Sequence, residues 1–193
     1  MPEWLNPTAV LPYELRPDDF LASLRDLYDL LGDVNSSLTG RGLQRLEELL
    51  KPQTFTSIVS DALAVSLGNH ARVLTRNRHH NGHPDLVPEG RYANNDALAG
   101  DEGVEVKATM GRGAADMHAP RDGWLCLFRY VMDRTSEPAL KRRPTEVTEI
   151  LLARLELTDF RLNERGDRGT RTATPHVGGL RKLREGWVYR ADR

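Results

Sequence analysis

The sequence predicts an α/β fold, in which a central mixed sheet of four to five strands is flanked by helices and preceded by an N-terminal helical pair. Three observations lead to this prediction. Apolar residues recur at helical spacing in the first third of the chain, short strand-like runs follow, and residues 124–132 are almost continuously apolar, as in a strand buried on both faces. The chain has 193 residues, 39% apolar and 28% charged, so a single domain with its own core is expected.

The N-terminal part, residues 1–52, is predicted to be an arm followed by two helices. The arm covers residues 1–16. A first helix begins at Pro17, because proline is tolerated in a first turn and the acidic residues after it suit the positive end of the helix dipole. Gly32 is expected to end this helix. Its apolar stripe consists of Phe20, Leu24, Leu27, Tyr28 and Leu31.

A polar turn over residues 35–40 is expected to lead into a second amphipathic helix over residues 42–50, which Pro52 ends. The leucines expected to face inward there are Leu43, Leu46, Leu49 and Leu50. Residues 53–135 then form the predicted core section. It opens with a third helix, capped by Thr54 or Thr56 and running to about Leu67, and continues with a strand over residues 70–75.

The central stretch of the chain places charged residues inside apolar strand patterns. Val104 and Val106 alternate with Glu105 and Lys107, so the valines can enter a core while the acid and the amine share the other face. Burying an acid beside an amine is costly unless they pair or serve a ligand. Asp85, between Pro84 and a short apolar run, offers a second carboxylate. Two carboxylates and a lysine that converge suit a hard divalent cation.

At these residues the chain resembles the PD-(D/E)XK nucleases, the restriction-endonuclease-like superfamily. The resemblance consists of Pro84-Asp85, nineteen intervening residues and then Glu105-Val106-Lys107, and the wider sequence over residues 55–132 is similar in character. An ordinary edge strand with a surface Glu–Lys pair is the alternative interpretation of the same residues.

The resemblance implies a Mg²⁺-dependent DNA endonuclease, in which Mn²⁺ is expected to substitute. Asp85, Glu105 and the main-chain carbonyl of Val106 would hold the metal, and Lys107 would orient the attacking water and offset phosphate charge. Asp61, in the helix before the first core strand, is an additional metal-ligand candidate, with a solvent-facing aspartate as the alternative. A repair or structure-specific nuclease, a DNA-binding module that does not cleave, and an RNA target remain open.

Cationic side chains around this motif are candidates for contacts with nucleic acid, although solvated turns explain them nearly as well. The histidine-rich run before Pro84 does not fit a His-Asn-His nuclease or zinc site, because Pro84 and the next strand follow at once. The candidates are Arg76, Arg78, His79, His80, Arg112, His118, Arg121, Arg168 and Arg171.

Charge is distributed unevenly along the chain. The net charge is −1, but residues 129–193 contain fifteen lysines and arginines against ten acids, whereas residues 1–69 contain five against ten. This asymmetry predicts a basic C-terminal part, residues 136–193, that meets DNA, or alternatively helices with solvated charges. Within it, residues 146–157 are expected to form a strand and residues 180–187 a basic helix or turn. In residues 166–174, Arg168, Arg171 and the threonines are candidates for contacts with a DNA backbone or base edges, and a solvated hairpin is the alternative.

Composition narrows the classes of protein to which the chain can belong. The one cysteine, Cys126, lies in an apolar run, so we expect a buried thiol and no disulfide framework. No apolar run approaches a membrane span and no secretory start is evident, which indicates a cytoplasmic protein. No nucleotide-binding glycine loop occurs. Double-strand cleavage needs two sites, so a homodimer is expected, or a partner protein that supplies recognition.

Overall fold

The computed structural model describes residues 4–113, 116–118, 120–163 and 172–191. It has an α/β architecture with two sheets. Within the described ranges, no helix is long and apolar enough to cross a membrane. The helices are α1 (Pro17–Gly40), α2 (Leu46–Leu49), α3 (Pro52–His70) and α4 (Val177–Glu185). The strands are β1 (Leu74–Arg76), β2 (Leu86–Pro88), β3 (Val104–Met110), β4 (Met117–His118), β5 (Gly123–Val131), β6 (Glu146–Leu155), β7 (Phe160–Leu162), β8 (Thr172–Pro175) and β9 (Trp187–Arg190).

The main sheet is mixed and has the order β1-β2-β3-β5-β6-β9. The pair β3–β5 is parallel, and every other neighbouring pair is antiparallel. Six strands replace the predicted four to five, because the short alternating segment Trp187–Arg190 forms an edge strand. The N-terminal arm lies against this strand through a bridge between Leu5 and Tyr189. A second sheet has the order β4-β8-β7.

The two faces of the main sheet are covered differently. One face packs on α1 and α3, and its core includes Val104, Val106 and Phe128. A smaller cluster on the other face joins Leu127 and other side chains of β5 and β6 to Leu183 of α4. Pairing in register places Leu125 beside Glu105 and Leu127 beside Lys107, so this second face changes from apolar on β5 to charged on β3. That boundary is where the candidate site lies.

The predicted stop at Gly32 is wrong. Helix α1 begins at Pro17 as expected but continues to Gly40, so residues 35–40 are helical rather than a turn. The side chain of Asn35 explains the extension, since it donates to Glu47 over 2.9 Å and accepts the backbone N–H of Leu46 over 2.7 Å. A polar residue that indicated a turn instead joins α1 to α2.

The second and third helices also differ from expectation. Helix α2 is a single turn, and Leu43 and Leu49 are exposed rather than inward. Pro52 starts α3 instead of only ending the preceding helix, so neither threonine is its cap. Helix α3 also takes in His70, which had been assigned to a strand, and the ring of His70 lies 2.8 Å from the Asp26 carboxylate of α1.

The strands after α3 are closer to expectation. Strand β1 is three residues long and starts at Leu74, so residues 70–73 of the predicted strand are not part of it. The buried strand β5 is confirmed, and Cys126 within it is fully buried. Strand β6 confirms the preference for strand over helix. Strand β8 starts at Thr172, and residues 166–171 of the stretch before it lie outside the described residues. Leu183 docks α4 as expected.

Candidate active site

Strand β3 pairs with β2 over only a short length, so part of its backbone edge is free to bond a side chain. The pairing between the two strands is confined to Leu86 and Val104. Beyond that point the Asp85 carboxylate accepts the backbone N–H of Val106 over 2.8 Å, a donor that a partner strand would otherwise satisfy. A single side chain therefore continues the ladder and fixes Asp85 beside the motif strand.

The three motif side chains meet around the Lys107 ammonium. Its Nζ lies 2.6 Å from Glu105 and 3.6 Å from Asp85. The Glu105 side chain is 9% exposed, against 29% for Asp85 and 24% for Lys107. The structure thus brings together, at the boundary of the sheet face, three residues that the sequence places far apart.

His83 belongs to the same cluster, although the sequence had not singled it out. Its Nδ1 lies 3.2 Å from each oxygen of the Glu105 carboxylate, which accepts its hydrogen. Glu105 is therefore held between an imidazole and an ammonium. The only signal in the sequence was the position of His83 two residues before Asp85, within a run of polar and cationic residues.

The pKa values of the two carboxylates are shifted in opposite directions. Burial, and then the nearby charge of Glu105, raises the pKa of Asp85 to about 6. Burial alone would also raise the pKa of Glu105, but the His83 hydrogen bond and the Lys107 charge outweigh it and lower that pKa. Burial opposes the charge on Lys107, yet both carboxylates together raise its pKa. Lys107 therefore stays protonated and acts as a cation rather than as a base.

The oxygen donors of this cluster fit a hard divalent cation. A bound cation would favour the ionised form of Asp85, which burial and then repulsion by Glu105 disfavour. The Val106 carbonyl accepts the Ser60 hydroxyl over 3.1 Å and keeps a second lone pair for a ligand. Across the described part of the chain, no group of three or more histidine, cysteine or acidic side chains is arranged to hold a metal ion. The candidate set therefore depends on two carboxylates and a carbonyl.

An open cleft of about 330 Å³ adjoins Asp85. Helix α3 contributes Asp61 to its wall, and the Asp61 side chain makes no ion pair or hydrogen bond with any described residue. This Asp85 cleft brings Asp61 and Asp85 to one space without direct contact between them. The predicted cations that also line it are Arg76, Arg78, His79 and His80.

Asn77 fixes the loop that carries Asp85, and sequence patterns did not reveal this role. The side chain is buried and makes four hydrogen bonds. It donates to the carbonyls of Pro84 and Ala97 and accepts the N–H groups of His79 and Ala97. Because the Ala97 contacts span twenty residues, no local pattern could have predicted them.

The remaining predicted cations lie in separate places. His118 and Arg121 line a small pocket that also includes His83 and Glu105. Arg112 lines a different cleft, together with Arg129. Arg168 and Arg171 lie outside the described residues.

No family model, no curated protein and no solved structure matches this chain. The geometry of the described residues is therefore the basis for the functional argument.

Proposed function

We propose that this chain is a Mg²⁺-dependent endonuclease that hydrolyses DNA phosphodiester bonds and has a restriction-endonuclease-like fold. The observation that supports it is the convergence of two carboxylates on the Lys107 ammonium. Its Nζ lies 2.6 Å from Glu105 and 3.6 Å from Asp85. The proposed fold fits helix α3, the antiparallel pair β2–β3 and the parallel strand β5 that follows. Asp85 lies just before β2, and Glu105 lies on β3.

In this proposal Asp85, Glu105 and the Val106 carbonyl hold the cation. When bound, Mg²⁺ would stabilise charge on the phosphoryl oxygens and lower the pKa of a coordinated water. Mn²⁺ should replace it, because both are bound by hard oxygen ligands.

The protein's own groups have distinct tasks. Lys107, protonated between two carboxylates, orients the attacking water and offsets negative charge on the phosphate. His83 keeps the Glu105 carboxylate in one orientation by bonding to both of its oxygens. Cations along the Asp85 cleft, such as Arg76 and Arg78, offer positive charge to the DNA backbone that flanks the scissile phosphate. A homodimer would supply the second site that cutting both strands requires.

The decisive experiment is nicking of supercoiled plasmid in Mg²⁺, Mn²⁺ and EDTA by four purified variants. Asp85→Ala, Glu105→Ala and Lys107→Ala should each lose about 10²–10³-fold or more in rate, because each removes a preorganised charge from the transition state. Asp29→Ala, which removes an exposed acid from α1, is the matched control and should cut normally.

Circular dichroism on the same preparations separates a lost site from a lost fold. Parental nicking in Mg²⁺ by any one of the three site variants would refute the assignment. A wild-type chain that binds DNA equally well with and without EDTA, and cleaves no nucleic acid, would instead identify a binding module.

A further inference from the structure

Arg129 is a buried cation whose hydrogen-bonding capacity is largely unused. Its side chain is 5% exposed. One terminal nitrogen, Nη1, donates to Glu149 over 2.7 Å, whereas Nε and Nη2 have no partner among the described residues. Leaving donors of a buried guanidinium unpaired is costly. Such a group is expected where a ligand completes its hydrogen bonds.

The surroundings of Arg129 favour an anion. Arg129, Arg112 and Arg190 line one cleft of about 210 Å³, in which the acidic side chain is Glu149. Arg190 donates to the same carboxylate over 3.0 Å, so Glu149 is shared by two guanidinium groups. Arg112 is exposed and has no ion pair with any described residue. Three positive charges therefore face one negative charge, an excess that suits a phosphate.

The sheet register places this cleft beside the candidate active site. Strand β5 runs parallel to β3, with Leu127 opposite Lys107 and Arg129 opposite Thr109. Alternation along the strands puts Lys107, Thr109 and Arg129 on one face. Arg129 lies on β5, the strand next to β3, two residues beyond the position that pairs with Lys107. Strand geometry gives a separation of about 8 Å between the two Cα atoms. A nucleic acid strand covers that distance in about two nucleotides of rise.

We propose that Arg129, Arg112 and Arg190 form a phosphate-binding site that takes a non-scissile backbone phosphate of the nucleic acid strand. The choice of a nucleic acid phosphate rests on the proposed nuclease function. The site would fix the register of the strand over Asp85, Glu105 and Lys107, because contacts to phosphates position a strand without specifying its sequence. Gly111, whose φ is +73°, leaves the rim of the cleft free of a side chain.

The test measures binding without cleavage. Anisotropy of a fluorescein-labelled 30-base-pair duplex is followed in EDTA as the salt concentration is raised. Arg129→Met and Arg112→Ala should each lower the slope of log affinity against log salt by about one, which reduces the affinity loss between 50 and 200 mM salt by about fourfold. Arg41→Ala, at the end of α1 on the opposite side of the sheet, removes the same charge and should leave the slope unchanged.

Arg112→Ala remains decisive if Arg129→Met does not fold, since Arg112 makes no hydrogen bond or ion pair with the part of the chain that the structure describes. Parental slopes in the folded Arg variants would overturn the proposed site. A second measurement compares melting in inorganic phosphate with melting in chloride at equal ionic strength; phosphate should raise Tm in wild type but not in Arg112→Ala. Stabilisation by phosphate combined with unchanged DNA slopes would exclude the nucleic acid phosphate as the ligand. Absence of cleavage with altered slopes would refute the nuclease proposal alone.

Discussion

At Asp85, one carboxylate serves both the backbone and the candidate site. It accepts the Val106 N–H and also faces Lys107 and the charge of Glu105. The fold tolerates its ionised form at a cost, as the raised pKa indicates. Glu105 is in the opposite position, because His83 and Lys107 favour its ionised form. Neutralising Asp85 should therefore stabilise the folded protein, whereas neutralising Glu105 should destabilise it.

The first prediction is that Asp85→Asn raises the free energy of unfolding at pH 7.5 by about 1–3 kcal/mol. This range follows from the rise of the Asp85 pKa from 3.8 to about 6, reduced because the side chain is partly exposed to solvent. The Asn oxygen can still accept the Val106 N–H. The penalty of charged Asp85 is present above pH 6 and lost as the pH falls towards 4. Urea unfolding at pH 7.5 and 4.5, without divalent ions, should show the gain shrinking at the lower pH.

Glu105→Gln is the matched comparison and should lower the free energy of unfolding at pH 7.5. A depressed pKa means that charged Glu105 contributes stability above its unfolded value of 4.5, and that this stability is lost as the pH falls through the folded pKa. Stabilisation by Glu105→Gln, or destabilisation by Asp85→Asn, would contradict this account of the electrostatics.

A second prediction concerns Asn77, whose four hydrogen bonds hold the loop before Asp85. Asn77→Ala leaves buried backbone groups of Ala97 unpaired and should cost about 2–4 kcal/mol of unfolding free energy. Chemical denaturation measures it, with the exposed Asn69→Ala as control. A cost below 0.5 kcal/mol would show that water replaces these bonds.

At the scale of elements, close packing between β2 and β3 depends on a glycine. Gly103 has a φ of +137°, and a Cβ there would lie within 2.1 Å of the Leu86 carbonyl oxygen. Gly32, within α1, has open space around its Cβ position. The same substitution should therefore act in opposite directions at these two positions.

The third prediction is that Gly103→Ala destabilises the protein by more than about 2 kcal/mol, because the backbone must move and its conformation is strained. Gly32→Ala should stabilise it by about 0.5–1 kcal/mol through helix propensity. Thermal melting of both variants tests this. Equal effects would contradict the described backbone at Gly103.

The elements that the sequence predicted well are those with a strong local pattern. The alternation around Glu105 and the apolar run of β5 identified their strands. The spacing between Asp85 and Glu105 indicated the candidate site. Helix α1 was misjudged at Gly32 because the bonds from Asn35 to α2 outweigh a glycine's preference. Residues 187–190 were missed because four alternating residues after a helix carry little signal without their neighbour β6. His83, Ser60 and Asn77 act through contacts between distant segments, which no local pattern contains.

At the scale of the whole molecule, the fully buried Cys126 reports on opening of the central sheet. Burial raises the pKa of its thiol, and as the one cysteine in the chain it gives an unambiguous signal. Its reaction with a thiol reagent requires unfolding that exposes the middle of β5.

The fourth prediction is that Mg²⁺ slows labelling of Cys126, with no need for catalytic activity. If the ion binds only the folded chain, a concentration of 100 times its Kd should slow labelling about 100-fold when opening is a rapid pre-equilibrium. Asp85→Asn should remove most of that protection, since it removes one proposed ligand charge. Protection that is identical in Asp85→Asn would place the ion elsewhere.

The contact between the N-terminal arm and β9 constrains any assembly of two chains. The N–H of Asn6 donates to the Val188 carbonyl, and the N–H of Arg190 donates to the Trp4 carbonyl. These bonds occupy backbone groups that an incoming strand would need. Two copies consequently cannot join into one continuous sheet on that side unless the arm is first displaced, so a symmetric pair that keeps the arm in place must meet through another surface.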